Sequence, residues 1–278
     1  MLFIFKKTST VLQVLWDNRV NPIYKRIVAF FSILISAFLL INCSDSSSTF
    51  SYDPGEPVDD GFYSMSDIYK SLAANERVVF VIRHAERTSD YSFSGPLTRE
   101  GKKQAKYVGT TLVDSNVTAF YAYSGFVRTL QTVEAIADGR DDDNIKAKVL
   151  EGLDGNWFVQ DDAKFEEYKN TSGGGWVVVS KYAYTGEFAD AFYVLADRAE
   201  EFVTKHVLPS VEGQKLSIMA THDTFLVPFV VYATSGTVDV KHYETGRWLN
   251  YLAGVAIIIG EDGSIRYLPT KGLASGIM

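Results

Sequence analysis

The sequence predicts an α/β domain of three layers, in which helices cover both faces of a mostly parallel central sheet. Two observations predict this class. From about residue 76 onward, short apolar runs typical of buried strands alternate with segments whose apolar residues have helical spacing. Charged residues also follow several of these strands, where ligand sites in such sheets lie. Alternation of strand and helix implies parallel strands joined by helical crossovers.

The predicted elements alternate regularly through the first half of this domain. In chain order they are the strand ERVVFVI, the helix LTREGKKQAKYVGTTLVD, the strand VTAFYAYS, the helix GFVRTLQTVEAIADG closed by Gly139, and a short strand KAKVL. Residues 151–187 are then predicted to form an irregular insertion, of a length that usually carries function. Its aromatic residues, from Trp157 to Tyr184, could wall a substrate pocket or pack beneath the loop.

The second half of the domain is predicted to begin with its longest helix, EFADAFYVLADRAEEFVTKHVLP from residue 187. The strand KLSIMAT and the apolar helix DTFLVPFVVYATSG follow. The strands LAGVAIIIG and SIRYLP then close the chain as a hairpin. His242, in the segment KHYETGR between that helix and the hairpin, is predicted to lie on the surface of a loop.

The first 43 residues have the pattern of an export signal. Lys25 and Arg26 precede an uninterrupted apolar run at residues 27–41, and Cys43, the single cysteine of the chain, follows it. The arrangement resembles a bacterial lipoprotein signal. This resemblance implies that Cys43 is lipidated and that the protein is exported and anchored to the cell envelope, facing the periplasm or the surface. An uncleaved anchor or a misplaced start codon is the alternative.

Three segments of the chain follow from these patterns. Residues 1–43 form the export segment, residues 44–62 a flexible tether rich in Ser, Asp, Pro and Gly, and residues 63–278 the folded domain. The whole chain has a formal charge of −7, and without the basic export segment it has about −11. Because so acidic a body repels polyphosphate backbones, nucleic acid is not expected as a partner. A bound phosphate must therefore meet a local basic pocket.

Such a pocket is predicted at the carboxyl ends of the strands, where cationic and imidazole side chains occur in three separate segments. The strand ERVVFVI is followed by Arg83, His84 and Arg87. The first turn of the helix GFVRTLQTVEAIADG contains Arg128, and the strand KLSIMAT is followed by His222 and Asp223. Since the carboxyl ends of parallel strands meet at one rim, these side chains are expected to converge there. Three guanidiniums and helix N-termini form an anion site by charge alone.

Two histidines in that pocket indicate chemistry as well as binding. A neutral imidazole can attack phosphorus and form a covalent intermediate, while guanidiniums stabilise charge on the equatorial oxygens. Asp223 is placed to protonate the leaving alkoxide. Neighbouring cations lower the pKa of a carboxyl group, so this acid role requires burial or substrate charge to oppose them.

Four motifs occur in the order in which one enzyme family has them. They are RHAE at 83–86, LTREGKKQA at 97–105, SGFVRTLQT at 124–132 with Gly125 where the family has proline, and His222-Asp223. The chain thereby resembles the histidine phosphatase superfamily, also called the phosphoglycerate mutase-like or histidine acid phosphatase fold. The resemblance implies that His84 is the phosphorylated nucleophile, that the three arginines bind phosphate, and that His222 completes the pocket.

The proton donor differs between the two branches of that family, and the chain offers both candidates. His222-Asp223-Thr224 resembles the acid phosphatase branch, in which the Asp is the donor. Leu150-Glu151 with Gly155 and Trp157 resembles the mutase branch, in which the Glu is the donor. Asp223 is favoured because it adjoins a pocket histidine at a helix start, and the chain is accordingly placed closer to the acid phosphatase branch.

The function predicted from these residues is hydrolysis of an extracytoplasmic, small phosphorylated substrate through a phosphohistidine intermediate. One alternative is a phosphoglycerate mutase-type phosphoryl transferase, against which export argues. Another is a surface module that binds phosphorylated glycans without turnover. Neither a metal nor a cofactor is expected, because adjacent arginines repel a metal ion and the chain has no nucleotide-binding glycine pattern. The sequence predicts no oligomeric state.

Overall fold

The computed structural model describes residues 60–272 of the chain. The export segment, Cys43 and most of the tether lie outside these residues, so their roles stay predictions. Within residues 60–272, no helix is both long and apolar enough to cross a membrane.

Six strands form a single mixed sheet. They are β1 (Arg77–Arg83), β2 (Phe120–Tyr123), β3 (Lys148–Val149), β4 (Leu216–Thr221), β5 (Gly254–Ile259) and β6 (Ile265–Thr270). Their order across the sheet is β3-β2-β4-β1-β5-β6. The first four are mutually parallel, whereas β5 runs antiparallel to β1 and pairs with β6 in a hairpin. The predicted mostly parallel sheet is confirmed.

Helices cover both faces of this sheet. They are α1 (Met65–Ser71), α2 (Arg99–Thr111), α3 (Val127–Arg140), α4 (Asp162–Thr171), α5 (Gly175–Thr185), α6 (Leu195–Glu201), α7 (Leu208–Ser210), α8 (Asp223–Ala233) and α9 (His242–Thr245). A π-helical turn, Phe202–Val207, joins α6 to α7. These elements and the sheet form the three layers that the alternating sequence pattern predicts.

The apolar residues of β1 divide between two cores, one on each face of the sheet. Val78, Phe80 and Ile82 belong to the core that contains residues of α1, α2 and α3. Val79 and Val81 belong to the larger core, which contains residues of α4 to α8. Successive side chains of a strand point to opposite faces, so a strand buried on both faces is apolar throughout.

Residues 151–187 are more regular than the sequence analysis expects, because they contain α4 and α5. Asp161 caps α4 by accepting hydrogen bonds from the amides of Ala163 and Lys164, each at 3.1 Å. The three glycines at 173–175, which suggest a loop, instead mark the start of α5, where Gly174 has a φ of 98°. Buried residues of both helices join the larger core, and this tertiary packing stabilises helices whose amphipathic pattern is weak.

The predicted longest helix begins later than expected, at Leu195 instead of residue 187. The backbone just before it is engaged with the insertion, because the carbonyl of Ala191 accepts from the amide of Gln160 at 2.8 Å, and the amide of Tyr193 donates to Phe158 at 3.0 Å. The chain turns at residues 187–191, where Phe188 has a left-handed φ of 63°, and the bonds to the insertion then engage the backbone of Ala191 and Tyr193, so the helix begins only at Leu195.

Gly139 does not close α3 as predicted. The helix continues through Arg140 and ends at Asp141, which has a left-handed φ of 60°. Gly139 instead lies against α2, where a Cβ atom would overlap the carbonyl oxygen of Lys106. The glycine is therefore required for the close approach of two helices and not for a turn.

Candidate active site

The carboxyl ends of β1, β2 and β4 bring the predicted residues to one rim. Arg83 ends β1 and lies in register with Thr221, the last residue of β4, so His84 and His222 are neighbours across adjacent parallel strands. Their ring centroids are 5.6 Å apart. Arg128 reaches the same rim from the first turn of α3. The predicted convergence of three distant segments is present in the structure.

His84 is buried, and its hydrogen bond defines which ring nitrogen is basic. Its Nδ1 lies 2.8 Å from the carbonyl oxygen of Ala85, which can only accept, so Nδ1 carries the proton and the lone pair lies on Nε2. Burial lowers the pKa of His84 well below 6.5, and the charges of His222 and Arg83 act in the same direction against the bond to Ala85. A neutral imidazole with a basic Nε2 is the form that a nucleophile requires.

His222 is held from both sides in its neutral form. Its Nδ1 accepts from Nη2 of Arg128 at 3.3 Å, and its Nε2 lies 2.8 Å from the hydroxyl of Ser124. Since an arginine can only donate, the proton of His222 lies on Nε2 and is directed to Ser124. Burial, and next the charge of Arg128, lower the pKa of His222 to about 3. Phe126 packs against the ring with centroids 4.7 Å apart.

Asp223 is the first residue of α8, and both of its carboxylate oxygens have partners. Oδ2 lies 2.9 Å from Nη2 of Arg83 and accepts from the indole nitrogen of Trp248 at 2.9 Å, while Oδ1 accepts from the amide of Thr224 at 2.9 Å. Burial alone would raise the pKa of Asp223, but Arg83 and the bond from Trp248 outweigh it and lower the pKa below 3.8. Asp223 is therefore ionised in the protein without substrate.

The remaining arginine, Arg87, lies under an exposed loop that follows β1. Its guanidinium carbon is 3.6 Å from the ring centroid of Tyr91, and Nη1 donates to the carbonyl of Thr88 at 2.8 Å. In the same loop, the carbonyl of Ser92 accepts from Nη1 of Arg128 at 2.9 Å. The loop thus holds two of the three predicted phosphate-binding arginines at the mouth of the site.

The other candidate acid, Glu151, lies at the same edge of the sheet but outside this cluster. It is exposed in the turn after β3, which pairs with β2 through Val149 and Tyr123. Within residues 60–272, no hydrogen bond or ion pair joins Glu151 to the histidines or arginines of the rim. The geometry brings together Asp223 with the predicted cations and leaves Glu151 apart.

Two of the sequence motifs also position the segment that carries His84. Thr98 caps α2 and donates to a carboxylate oxygen of Glu86 at 2.8 Å, and Gly101 lies so close to the Glu86 carbonyl that a Cβ would overlap it. In the SGFVRTLQT motif, the Thr132 hydroxyl accepts from the amide of Ala85 at 3.0 Å. These contacts dock α2 and α3 on the segment that carries His84.

Three residues of the site were not predicted from sequence. Ser124 binds His222, Trp248 binds Asp223, and the ring of Tyr251 lies 4.4 Å from the guanidinium carbon of Arg83. Ser124 lies within a recognised motif, so its position was available in the sequence. Trp248 and Tyr251 come from the segment before β5, and no local pattern there indicates a site.

Metal binding has no support in the geometry of the described part of the chain. No group of three or more His, Cys, Asp and Glu side chains in residues 60–272 is arranged to hold an ion. The rim instead combines guanidiniums and neutral imidazoles, which suits a phosphoryl group.

The fold and the site together define an α/β protein with an anion site that contains paired imidazoles. Residues 79–266 match the family model of the histidine phosphatase superfamily (branch 1). The chain therefore belongs to the histidine phosphatase superfamily, whose members are phosphatases and mutases, and its sheet is that of the phosphoglycerate mutase-like fold. The closer resemblance to the acid phosphatase branch is not confirmed by this match and stays a prediction. No curated protein matches the chain.

Solved structures with similar folds include proteins whose names give different activities. A phosphoglycerate mutase from Bacillus anthracis is 16% identical, with a TM-score of 0.44 over 72% of this chain and 94% of that one. A mycobacterial glucosyl-3-phosphoglycerate phosphatase is 14% identical, with a TM-score of 0.44 over 72% and 100%. The alpha-ribazole phosphatase from Shigella flexneri is 15% identical, with a TM-score of 0.44 over 71% and 96%.

Proposed function

We propose that the protein hydrolyses a small phosphomonoester through a phosphohistidine at His84. The observation that carries this proposal is the state of His84, which is buried, neutral and protonated on Nδ1 beside Arg83 and a second neutral imidazole. A structural histidine would not need a free lone pair facing a cationic rim. A site that only binds anions would not need a neutral imidazole with a basic nitrogen.

In the proposed first step, Nε2 of His84 attacks phosphorus and forms the P–N bond as the P–O bond to the alcohol breaks. Arg83, Arg87 and Arg128 stabilise the charge on the equatorial phosphoryl oxygens. The proton on Nδ1 stays hydrogen-bonded to the Ala85 carbonyl, which holds the ring in line. His222 can donate its Nε2 proton to a phosphoryl oxygen in place of Ser124, with which it is bonded in the free protein.

Asp223 is the proposed proton donor to the leaving alkoxide. Its carboxylate is ionised in the free protein, and a bound phosphate dianion opposes the effect of Arg83 and so raises its pKa. The protonated acid then gives its proton to the alkoxide as the alcohol leaves. In the second step the carboxylate accepts a proton from the water that attacks phosphorus, which breaks the P–N bond and releases phosphate.

The direct test is to trap the intermediate. The purified full-length chain, mixed with a ³²P-labelled monoester and quenched rapidly, is expected to carry label that is stable in base and lost in acid, as a phosphoramidate is. Peptide mapping should place the label at His84, and inorganic phosphate should appear in the supernatant at the rate at which the label turns over.

The same experiment separates the alternatives. Label on His84 that passes only to a second alcohol, without phosphate release, would establish a mutase. Tight binding of phosphate by a chain that never becomes labelled would establish a binding module and contradict the proposed hydrolase.

We also propose that the protein acts outside the cytoplasm as a lipoprotein, on the basis of the basic flank, the apolar run and Cys43 in the sequence. Mass spectrometry of the mature N-terminus is expected to show a diacylglyceryl adduct on Cys43. A Cys43→Ser chain should lose this adduct, and an unmodified N-terminus at Met1 would support the uncleaved anchor instead.

A further inference from the structure

A cleft opens beside the phosphoryl site and leads away from Asp223. It has a volume of about 690 Å³, which lies in the range of roughly 300–1,000 Å³ typical of small-molecule sites. At one end it is lined by Thr224, which follows Asp223, and by Tyr91, which covers Arg87. Trp176 at the start of α5 and His242 of α9 also line it. His242, predicted to be loop surface, thus borders a cavity.

Trp176 presents an aromatic surface to this cleft. One side of its ring stacks on Trp248, with centroids 5.2 Å apart and planes inclined by 19°, and His242 contacts it at 5.2 Å. Trp248 is fully buried, whereas Trp176 is 39% exposed. The neighbouring rings therefore hold Trp176 in one orientation before any ligand arrives, which lowers the entropy cost of stacking on it.

This aromatic stack is connected to the candidate acid. The indole nitrogen of Trp248 donates to Oδ2 of Asp223 at 2.9 Å, so only Trp248 separates the exposed ring of Trp176 from the carboxylate. In the proposed reaction the oxygen of the leaving alcohol meets Asp223. The rest of that alcohol must then extend along the cleft towards Trp176.

The other side chains of the cleft are mostly polar. Asn156, Glu166 and Lys169 line it, together with the backbone of residues 173–175. Gly174 has a φ of 98° and open space where a Cβ would lie, so no side chain narrows the cleft at this residue. An apolar ring surface bordered by hydrogen-bond donors and acceptors matches a sugar, which has C–H groups on its faces and hydroxyls at its edge. Glu166 and Lys169 pair with each other at 2.6 Å, and this exposed pair can also bind sugar hydroxyls, which an aliphatic chain does not have.

We propose that this cleft is a subsite for a sugar ring, so that the substrate is a phosphorylated sugar whose ring stacks on Trp176. The inference rests on the proposed phosphatase activity and names its substrate class. Trp176 is then a specificity-determining residue, whereas Asp223 and the arginines handle the phosphoryl group common to all monoesters.

The test compares two esters with similar leaving alcohols. Glucose 6-phosphate and glycerol 3-phosphate are both primary alkyl phosphates, but only the first has a ring. For the full-length chain, Trp176→Ala is expected to lower the ratio of kcat/KM for the sugar ester over the glycerol ester about fivefold, mainly through KM, because ring stacking contributes about 1 kcal/mol. Trp176→Phe should retain most of the ratio.

A second variant covers the case in which Trp176→Ala disturbs Trp248. Asn156→Ala leaves the aromatic stack intact and is expected to lower the same ratio severalfold by removing a polar partner of the hydroxyls. Tyr107→Ala is the matched control, since Tyr107 is an aromatic residue, 70% exposed, on α2 and outside the cleft. It should leave the ratio unchanged.

Equal losses for both esters in Trp176→Ala and Asn156→Ala would overturn the sugar subsite while leaving the phosphatase intact. A loss confined to 4-nitrophenyl phosphate would also overturn it, in favour of a flat aromatic leaving group. If neither ester is hydrolysed, the proposed phosphatase activity is contradicted. The subsite is then tested by calorimetry, which measures the ratio of the dissociation constants of the two esters for the His84→Ala chain.

Discussion

Two buried arginine–aspartate pairs lie near opposite ends of the strands and have the same distance between nitrogen and oxygen. Arg83 meets Asp223 at 2.9 Å at the carboxyl edge, and Arg140 meets Asp142 at 2.9 Å near the amino end of β2. The side chains of the first pair are 4% and 16% exposed, and those of the second 0% and 13%. Burial and pairing alone therefore do not distinguish a functional pair from a structural one.

The neighbours of the two pairs differ. Arg140 also donates to the carbonyls of Leu112 and Val117, and Asp142 accepts from the hydroxyl of Tyr121 at 2.5 Å. All these partners belong to the fold itself. They tie the end of α3 to the loop before β2.

At the other edge, the Arg83–Asp223 pair lies among groups that a substrate can engage. The imidazoles of His84 and His222 have lowered pKa values, and Trp248 connects Asp223 to an open cleft. Neutral histidines and access to a cavity therefore indicate a functional site, whereas the ion pair by itself indicates only a buried polar contact.

The largest expected effect is that of removing the nucleophile. His84→Ala should lower kcat/KM for any monoester by more than about a thousandfold, because no other group at the rim can form the covalent intermediate. Steady-state phosphate release measures the effect. His206→Gln is the matched control, since His206 packs on Trp157 with centroids 4.9 Å apart and is not part of the rim. Phosphate release that survives in His84→Ala would remove His84 from the chemistry.

Breaking the structural pair should affect stability and not turnover. Arg140→Met leaves Asp142 buried without its cation, which is expected to lower the free energy of unfolding by about 3 kcal/mol or more, measured by urea titration. At 25 °C the folded fraction should retain its kcat/KM. Arg83→Met is the counterpart at the site, and there the loss should be mainly in phosphate binding. If the two variants lost stability and phosphate binding to the same extent, the two pairs would not differ in function.

Removing the candidate acid should have an effect that depends on the leaving group. Asp223→Asn is expected to slow hydrolysis of alkyl phosphates about a hundredfold, and that of 4-nitrophenyl phosphate much less, because nitrophenolate leaves without a proton. Glu151→Gln serves as the matched carboxamide variant and should change neither rate appreciably. The opposite result, with the large effect in Glu151→Gln, would assign the donor to the exposed turn after β3.

The smallest expected effect, taken per histidine and per pH unit, is a dependence of stability on pH caused by the two histidines. Both have folded pKa values below 6.5, so the unfolded chain binds more protons, and their contribution to stability is present above pH 6.5 and is lost as the pH falls below it, for His222 down to about pH 3. The free energy of unfolding should decrease by up to about 1.4 kcal/mol per pH unit for each histidine. Urea titrations at pH 7, 5.5 and 4 measure this.

The control for that dependence is His222→Gln, which removes one of the two titrating groups. Its slope between pH 6.5 and pH 4 should be smaller than that of the unmodified chain. Asp223 adds to the slope only near and below its ordinary pKa of 3.8, so the chosen window separates the histidines from it. An unchanged slope would mean that His222 is not held neutral in the folded protein.

Much of the fold was predictable from the sequence, because its signals are local. The apolar run before Arg83 predicts a strand buried on both faces, and β1 has that burial along its length. Helices α2 and α3 were predicted from the helical spacing of their apolar residues, and both are present, with Thr98 as the N-cap of α2. Apart from Gly139, the failures lie in residues 151–194, where α4 and α5 depend on packing against the larger core and residues 187–194 form a turn and a bridge to the insertion instead of a helix.

The sequence alone determined the order of the strands and of the helices α2, α3 and α8, the acidic body and the candidate residues for phosphoryl chemistry. These follow from residue type, period and spacing, which need no knowledge of distant contacts. Only the tertiary structure decided that Asp223 and not Glu151 joins the rim, that Trp248 binds that carboxylate, and that Trp176 lines a cleft beside it. The physical reason is that charge state and access depend on burial and on partners far apart in the chain, which only folding brings together.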